Sequence, residues 1–207
     1  MGSPGFAVPA LRAVAAACDV ERVVTRPDRP SGRGLEVRAS AVARAAGELG
    51  LPVSRPPSMR DRSTITELGE ARADVFAVVA FGAILSAEVL ALPRAGCVNL
   101  HGSLLPDYRG ASPVQRALWD GCAETGVCTL FMDEGLDTGD VIACRREAIR
   151  DDDDAASLAA RLAELGAPLL TGSVVQAAEG RAARAPQDRT AGSDQSTTPS
   201  SLRSFPA

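Results

Sequence analysis

Residues 96–110, GCVNLHGSLLPDYRG, contain the strongest indications of the fold and of a functional site in this chain. A short apolar run leads into Asn99 and into His101, the only histidine of the chain, and the run breaks at Gly102. This pattern predicts a buried strand that ends at a turn, with Asn99 and His101 on one face of the sheet. Because ligands bind at the carboxyl ends of strands in open α/β sheets, these two side chains could both address one carbonyl oxygen. The alternative is a histidine that only packs and hydrogen-bonds in the interior.

Strands and helices alternate on both sides of this stretch. Apolar runs predict further strands over residues 20–25, 51–53, 74–80, 125–132 and 140–149. Periodicity and capping residues predict helices over 6–18, 40–49, 61–71, 86–92 and 113–121, with one more after the acidic run 151–154. This alternation predicts the α/β class, with a mostly parallel, doubly wound, Rossmann-like sheet.

Composition and charge are those of an ordinary cytoplasmic protein. Of the 207 residues, 45% are hydrophobic and 23% are charged, which is enough apolar material for a packed core. No apolar run approaches the ~20 residues that a membrane-spanning helix needs, and the N-terminus lacks the charged and apolar regions of a secretory signal. We therefore expect a protein in the cytoplasm with no membrane partner. We also expect a monomer.

The cysteines and the acidic run do not predict a metal site. The five cysteines form no C-x-x-C pair and the chain has one histidine, so we expect buried free thiols (Cys18, Cys97, Cys122, Cys128 and Cys144). A catalytic thiol at Cys97, close to His101, is an alternative, but its place at the start of the strand favours packing. The acidic run 151–154 suits the start of the following helix better than metal binding, because carboxylates stabilise helix N-termini.

Two blocks of the sequence resemble a known family. NLHGSLLP at 99–106, followed by RGASPVQRAL at 109–118, resembles the core of the 10-formyltetrahydrofolate-dependent formyltransferases. MDEGLDTGD at 132–140 matches their second signature loop at the expected distance. The resemblance therefore implies transfer of a formyl group from 10-formyltetrahydrofolate to an amine.

The resemblance also assigns roles to individual residues. It gives catalytic roles to Asn99, His101 and Asp137, and folate contacts to five further residues (Ser103, Leu104, Leu105, Pro106 and Asp140). These residue types suit acyl transfer, because fixed donors stabilise the oxyanion that develops on the formyl oxygen. A carboxylate beside the histidine would fix its tautomer and help to manage the proton of the amine.

An arginine-rich loop indicates which amine receives the formyl group. PDRPSGRG at 27–34 resembles the loop of those family members that formylate initiator methionyl-tRNA in translation initiation. The resemblance assigns contact with the acceptor end of the tRNA to Arg29 and Arg33. Between residues 22 and 62 nine arginines face four acids, whereas elsewhere 13 arginines face 22 acids, and such asymmetry can mark a nucleic-acid face. A solvated loop is the alternative.

Both ends of the chain depart from the family. The resemblance places the catalytic domain at residues 1–180, with the family's first strand, which precedes Gly2, missing. Residues 181–207 contain many Ser, Thr and Pro and predict a disordered tail or linker remnant. The tRNA-directed members continue there into a β-barrel domain that this sequence lacks. Two other functions therefore stay open: a formyltransferase acting on a small amine, such as a nucleotide sugar or glycinamide ribonucleotide, and an inactive truncated remnant.

Overall fold

The computed structural model describes residues 1–31 and 36–188. The strands are β1 (Val23–Val24), β2 (Arg29–Ser31), β3 (Glu36–Arg38), β4 (Val53–Ser54), β5 (Phe76–Val79), β6 (Cys97–His101), β7 (Glu124–Phe131) and β8 (Val141–Ala148). The helices are α1 (Val8–Ala17), α2 (Ala41–Glu48), α3 (Arg62–Glu70), α4 (Ala87–Leu90), α5 (Pro113–Trp119) and α6 (Ala155–Ala178), and a short 3-10 helix, Gly5–Ala7, precedes α1. The predicted α/β class is confirmed.

The central sheet has the strand order β5-β6-β7-β8 and is mixed. β5 and β6 are parallel, as expected, whereas β7 is antiparallel to both β6 and β8. β7 and β8 are antiparallel because residues 132–140 join them directly, and a short direct loop can connect only antiparallel neighbours. β6 is the central strand of the site, and all five of its residues are buried.

The first residues of the chain lie between two separate sheets. β1 and β4 form a parallel pair, and Met1 and Gly2 lie between β1 and the edge strand β5. Gly2 N donates to Val24 O at 3.0 Å, and Val79 N donates to Met1 O at 2.9 Å. A cavity of about 480 Å3 lies beside them, lined by residues of α1, β1, β5 and α6.

α6 forms the wall of the core behind the sheet. Helical spacing predicts a core stripe of Leu158, Leu162, Leu165 and Leu169. Leu158 and Leu162 are fully buried, Leu165 and Leu169 are partly buried, and Leu170 beside them is also buried. Asp154 caps the helix in a capping box with Ser157, so the acidic run serves the helix start. Gly166 allows α6 to pack closely against β6, since a Cβ at this position would lie 2.6 Å from the Leu100 side chain. Among the described helices, α6 is the one that is long and apolar enough to cross a membrane. However, 44% of its most apolar stretch is buried inside the fold.

The cysteine prediction is wrong for one pair. Cys128 on β7 stands directly opposite Cys144 on β8, with Cα atoms 4.1 Å apart, and the two form a disulfide. Cys18, Cys97 and Cys122 are free, as expected, but only Cys97 is buried, and Cys18 and Cys122 are partly exposed. The pairing depends on the register of two antiparallel strands, which the spacing of cysteines in the sequence does not reveal.

Candidate functional site

The end of β6 brings three polar side chains together. Asn99 Nδ2 donates to Asp137 Oδ1 at 3.1 Å, and His101 Nδ1 lies 3.4 Å from Asp137 Oδ2. The site is largely closed to solvent, because the side chains of His101 and Asp137 are only 6% and 14% exposed. The structure therefore places the three residues predicted as catalytic side by side, at the carboxyl end of a strand in the sheet.

The imidazole of His101 is held from both sides. Its Nε2 lies 2.8 Å from the carbonyl oxygen of Tyr108, and because a carbonyl oxygen only accepts, Nε2 carries the hydrogen. Nδ1 then faces the carboxylate of Asp137, where a second proton would complete an ion pair. These two polar contacts distinguish His101 from a histidine that merely packs in the interior.

The loop between β7 and β8 presents Asp137 in a rare backbone conformation. Its φ is 53°, in the left-handed region that residues other than glycine seldom adopt. Its Oδ2 also accepts a hydrogen bond from the backbone N–H of Gly110 at 2.9 Å. Gly139 lets the loop fold back onto β7, since a Cβ there would lie 1.8 Å from Phe131 O. The carboxylate is thus fixed from β6, from the turn after β6 and from its own loop.

The turn predicted to contact folate directly follows His101. Ser103 is fully buried, and its Oγ donates to Asp107 O at 2.5 Å, so the hydroxyl is used within the turn. Leu104 packs against Gly126, where a Cβ would come within 2.6 Å of Leu104 Cδ2. The apolar residues of the turn are only partly buried (Leu104, Leu105 and Pro106). The turn therefore offers a fixed apolar surface beside the three polar side chains.

Asp140 lies at the other end of the loop and has its own partner. Its Oδ2 is 3.6 Å from Arg184 Nη1, and the Arg184 guanidinium lies 3.7 Å from the centre of the Phe131 ring. A cavity of about 200 Å3, lined by loop residues together with Arg184 and Gln187, adjoins this pair. Arg184 belongs to a segment that the sequence assigned to a disordered tail, and that assignment is wrong for residues 181–188: Ala185 pairs with Val141 at the start of β8.

Arg109 and Gln187 are neighbours of the site that the sequence did not indicate. Arg109 is buried, at 7% exposed, and its guanidinium contacts Gln187. Gln187 in turn reaches the main chain of Asp137. Arg109 stands inside the block that carries the family resemblance, which is the one signal that could have singled it out.

Of the two arginines assigned to tRNA contact, the structure describes the backbone position of Arg29 only. The arginine-rich loop, expected at residues 27–34, contributes β2 to the antiparallel pair β2–β3, in which Arg29 stands opposite Arg38. Arg33 lies outside the described residues. Their assigned contact with RNA stays a prediction.

The alternative of a catalytic Cys97 is not supported. Burial raises the pKa of the Cys97 thiol from 9.0 to about 12, so the reactive thiolate is scarce at neutral pH. Its Sγ contacts Leu90 O at 3.8 Å. Among residues 1–31 and 36–188, no three His, Cys, Asp or Glu side chains are grouped so that they could hold a metal ion.

Known proteins are similar to this chain over most of its length. Methionyl-tRNA formyltransferase of Neisseria meningitidis serogroup C is 49% identical over 177 residues, which are 84% of this chain and 58% of that protein. Methionyl-tRNA formyltransferase of Pelotomaculum thermopropionicum is 46% identical over 188 residues, which are 90% of this chain and 60% of that protein. The chain thus spans about three fifths of the length of the curated relatives that it matches.

Solved structures show the same fold. Glycinamide ribonucleotide transformylase 1 from Symbiobacterium toebii has a TM-score of 0.72 at 18% identity, covering 90% of this chain and 89% of that one. The N-formyltransferase from Helicobacter canadensis, in complex with folinic acid and dTDP-3-aminofucose, has a TM-score of 0.67 at 18% identity, covering 94% of this chain and 69% of that one. Residues 7–174, most of the chain, match the family described as formyl transferase. The chain belongs to the formyl transferase family.

Proposed function

We propose that this chain transfers a formyl group from 10-formyltetrahydrofolate to the amino group of initiator methionyl-tRNA, as a monomer in the cytoplasm. The observation that carries the proposal is the carboxylate of Asp137, which Asn99 and His101 share at the end of β6. Relatives that are 46% and 49% identical and are named methionyl-tRNA formyltransferase support this choice of acceptor.

The reaction joins the acceptor's amine nitrogen to the formyl carbon and breaks the bond from that carbon to N10 of the folate. The amine attacks in its neutral form, and N10 must gain a proton as it leaves. His101 and Asp137 are in contact at 3.4 Å and form a unit that can take up the proton of the amine and return one to the folate nitrogen. Proton transfer by such a positioned pair typically contributes ~10²–10⁴-fold in rate.

The formyl oxygen becomes negatively charged as the amine attacks, and a fixed donor would stabilise it. Asn99 Nδ2 carries two hydrogens, of which one is directed at Asp137 Oδ1. We assign the second hydrogen to the formyl oxygen. Asn99 is 9% exposed, and a donor in such a weakly solvated site stabilises charge better than it would in water.

Substrate binding is assigned to the surfaces around these three residues. The partly buried apolar turn would support the pterin and the ring attached to it, while the internal hydrogen bond of Ser103 keeps the turn in shape. Asp140 would contact the folate from the opposite side of the loop. Arg29 and Arg33 would meet phosphates at the acceptor end of the tRNA.

Formylation assays with several acceptors test the proposal. The chain is incubated with 10-formyltetrahydrofolate and one acceptor: initiator methionyl-tRNA, glycinamide ribonucleotide or a nucleotide amino sugar. We expect formyl transfer to the methionyl-tRNA and a loss of at least ~10²-fold in His101→Ala. Trp119→Ala is the control, because that side chain is 88% exposed. Preference for a small amine, or a folded chain without any transfer, would replace the proposal with one of its two alternatives.

A further inference from the structure

We propose that Gln187 and Arg109 are positioning residues that hold the main chain of the Asp137 loop and thereby aim its carboxylate at Asn99 and His101. The inference rests on the proposed function for its kinetic part. Its structural part concerns the loop alone and can be measured without any substrate.

Gln187 ties the loop down by its side-chain amide. Nε2 donates to the carbonyl oxygen of Asp137 at 2.9 Å and to that of Gly139 at 2.7 Å. A carboxamide nitrogen carries two hydrogens, so these two bonds use both of them. The bonds fall on either side of Thr138, and they restrain the backbone from which the catalytic carboxylate projects.

Arg109 fixes the orientation of that amide. Its Nε and Nη2 donate to Gln187 Oε1 at 3.1 Å and 2.9 Å. Because a guanidinium only donates and a carbonyl only accepts, these partners allow one assignment of the amide oxygen and nitrogen. Arg109 Nη2 also donates to Asp188 O at 3.0 Å, which holds the segment that carries Gln187.

The contacts close a ring around Asp137. Gly110, the residue after Arg109, donates its backbone N–H to Asp137 Oδ2 at 2.9 Å. Residues 109–110 thus reach the carboxylate of Asp137 directly and its main-chain carbonyl through Gln187. A ring of this kind is needed because Asp137 has a φ of 53°, and such backbones typically cost ~1–3 kcal/mol and persist only where their surroundings enforce them.

The segment that carries Gln187 is itself anchored. Ala185 and Val141 exchange two backbone hydrogen bonds, each of 2.9 Å. Arg184 lies over the Phe131 ring and pairs with Asp140. Residues 184–188 are therefore held against the start of β8 and against Phe131. This anchoring fixes the backbone that carries Gln187, so its side chain can restrain the Asp137 loop.

Three substitutions separate the contacts. Gln187→Glu keeps an acceptor for Arg109 but loses both donors to the loop carbonyls. Gln187→Asn keeps the amide but is one methylene shorter. Arg109→Lys keeps the charge but loses the forked contact with Gln187. Gln176→Glu on α6 is the matched control, because that glutamine is exposed and lies outside the site.

Hydrogen exchange and steady-state kinetics are measured on these chains. We expect faster amide exchange over residues 132–140 in all three variants but not in Gln176→Glu. We also expect kcat to fall by roughly 10²-fold, the scale of a 1 Å misplacement, with KM for the folate within about twofold. In an Asp137→Asn background, Gln187→Glu should add no further loss, because Gln187 acts through Asp137.

Unchanged exchange over residues 132–140 overturns the inference, whatever the activity. Faster exchange with full activity would remove the positioning role. The role would also be removed if Gln187→Glu lowered kcat as much in the Asp137→Asn background as in the unaltered chain. If the unaltered chain transfers formyl groups to no acceptor, the proposed function fails, and exchange alone decides whether Gln187 and Arg109 hold the loop.

Discussion

Asn99 Nδ2 and Asp137 Oδ1 lie 3.1 Å apart, and this hydrogen bond joins the end of β6 to the loop between β7 and β8. Because a single carboxylate accepts from Asn99 and faces His101, the orientation of each side chain depends on the other two. The site is therefore assembled before any substrate arrives, which is the condition under which fixed dipoles stabilise a developing charge most effectively.

Replacing Asn99 with alanine should remove the donor assigned to the formyl oxygen. We expect kcat to fall by ~10²–10³-fold, the usual loss for one such donor. Folate affinity should change little, because binding is assigned to the neighbouring turn. The measurement is steady-state formylation together with folate binding by calorimetry. A kcat within twofold of the original would assign Asn99 to the structure of the strand end.

Asp137→Asn tests the charge separately from the shape. The amide oxygen can still accept from the N–H of Gly110, but the amide nitrogen cannot accept from Asn99 Nδ2, and no negative charge faces His101. We expect a loss of at least ~10²-fold in kcat, as for other positioned acid–base groups. A melting temperature within a few degrees of the original would show that the loss is chemical. Retained activity would make Asp137 a purely structural residue.

The sequence predicted the strand end well because its signals are local there. An apolar run, a turn and two polar residues two positions apart suffice to place Asn99 and His101 on one face. Asp137 was found through the resemblance of its loop. Its left-handed φ and its distance from Asn99 are properties of the folded chain and could not be read from residue order.

What the sequence did not predict depends on contacts between distant segments. Cys128 meets Cys144 because of a strand register that a one-residue shift would abolish. Gln187 reaches Asp137 across 50 residues from a segment whose composition predicts disorder, so no periodicity marks it. The antiparallel pairing of β6 with β7 likewise joins segments about 30 residues apart, and the connection through α5 does not fix its direction.

The arginine loop should affect RNA use without affecting folate. If Arg29 and Arg33 meet phosphates, changing both to alanine should weaken tRNA binding and flatten the dependence of log Kd on log salt by about two units of slope at most. The measurement is tRNA binding at several salt concentrations, beside folate binding as the control. An equal loss of folate affinity would mean that these arginines support the fold.

Gly139→Ala should destabilise the loop through a backbone clash. A Cβ at this position would lie 1.8 Å from Phe131 O, so the loop must move away from β7. We expect a loss of ~1–3 kcal/mol in the free energy of unfolding, as for other overpacked sites, and a loss of activity. Gly172→Ala on α6 is the control: no atom lies within 4 Å of its added Cβ, so helix propensity should raise stability by up to ~1 kcal/mol. Urea denaturation of both variants measures these changes. If Gly139→Ala is as stable as Gly172→Ala, the predicted clash does not occur.

The N-terminal amine connects stability to pH. The Met1 ammonium donates to Ala77 O at 2.5 Å beside the cavity between β1 and β5. Burial lowers the pKa of this ammonium from 8.0 to about 6, because desolvation penalises its charged form. Between these two values the unfolded chain keeps a proton that the folded chain has released.

Stability should therefore rise with pH between about 6 and 8 and gain nothing from this group outside that range. The slope is at most ~1.4 kcal/mol per pH unit, and the total gain is up to ~3 kcal/mol. The measurement is urea denaturation at several pH values, on a chain shown by mass to retain Met1. The comparison is a chain with an apolar five-residue extension fused to Met1. The extension turns the ammonium into an amide that does not titrate, so this chain should lose the rise in stability with pH. If both chains gain equally in stability between pH 6 and 8, the buried amine is not the group that titrates.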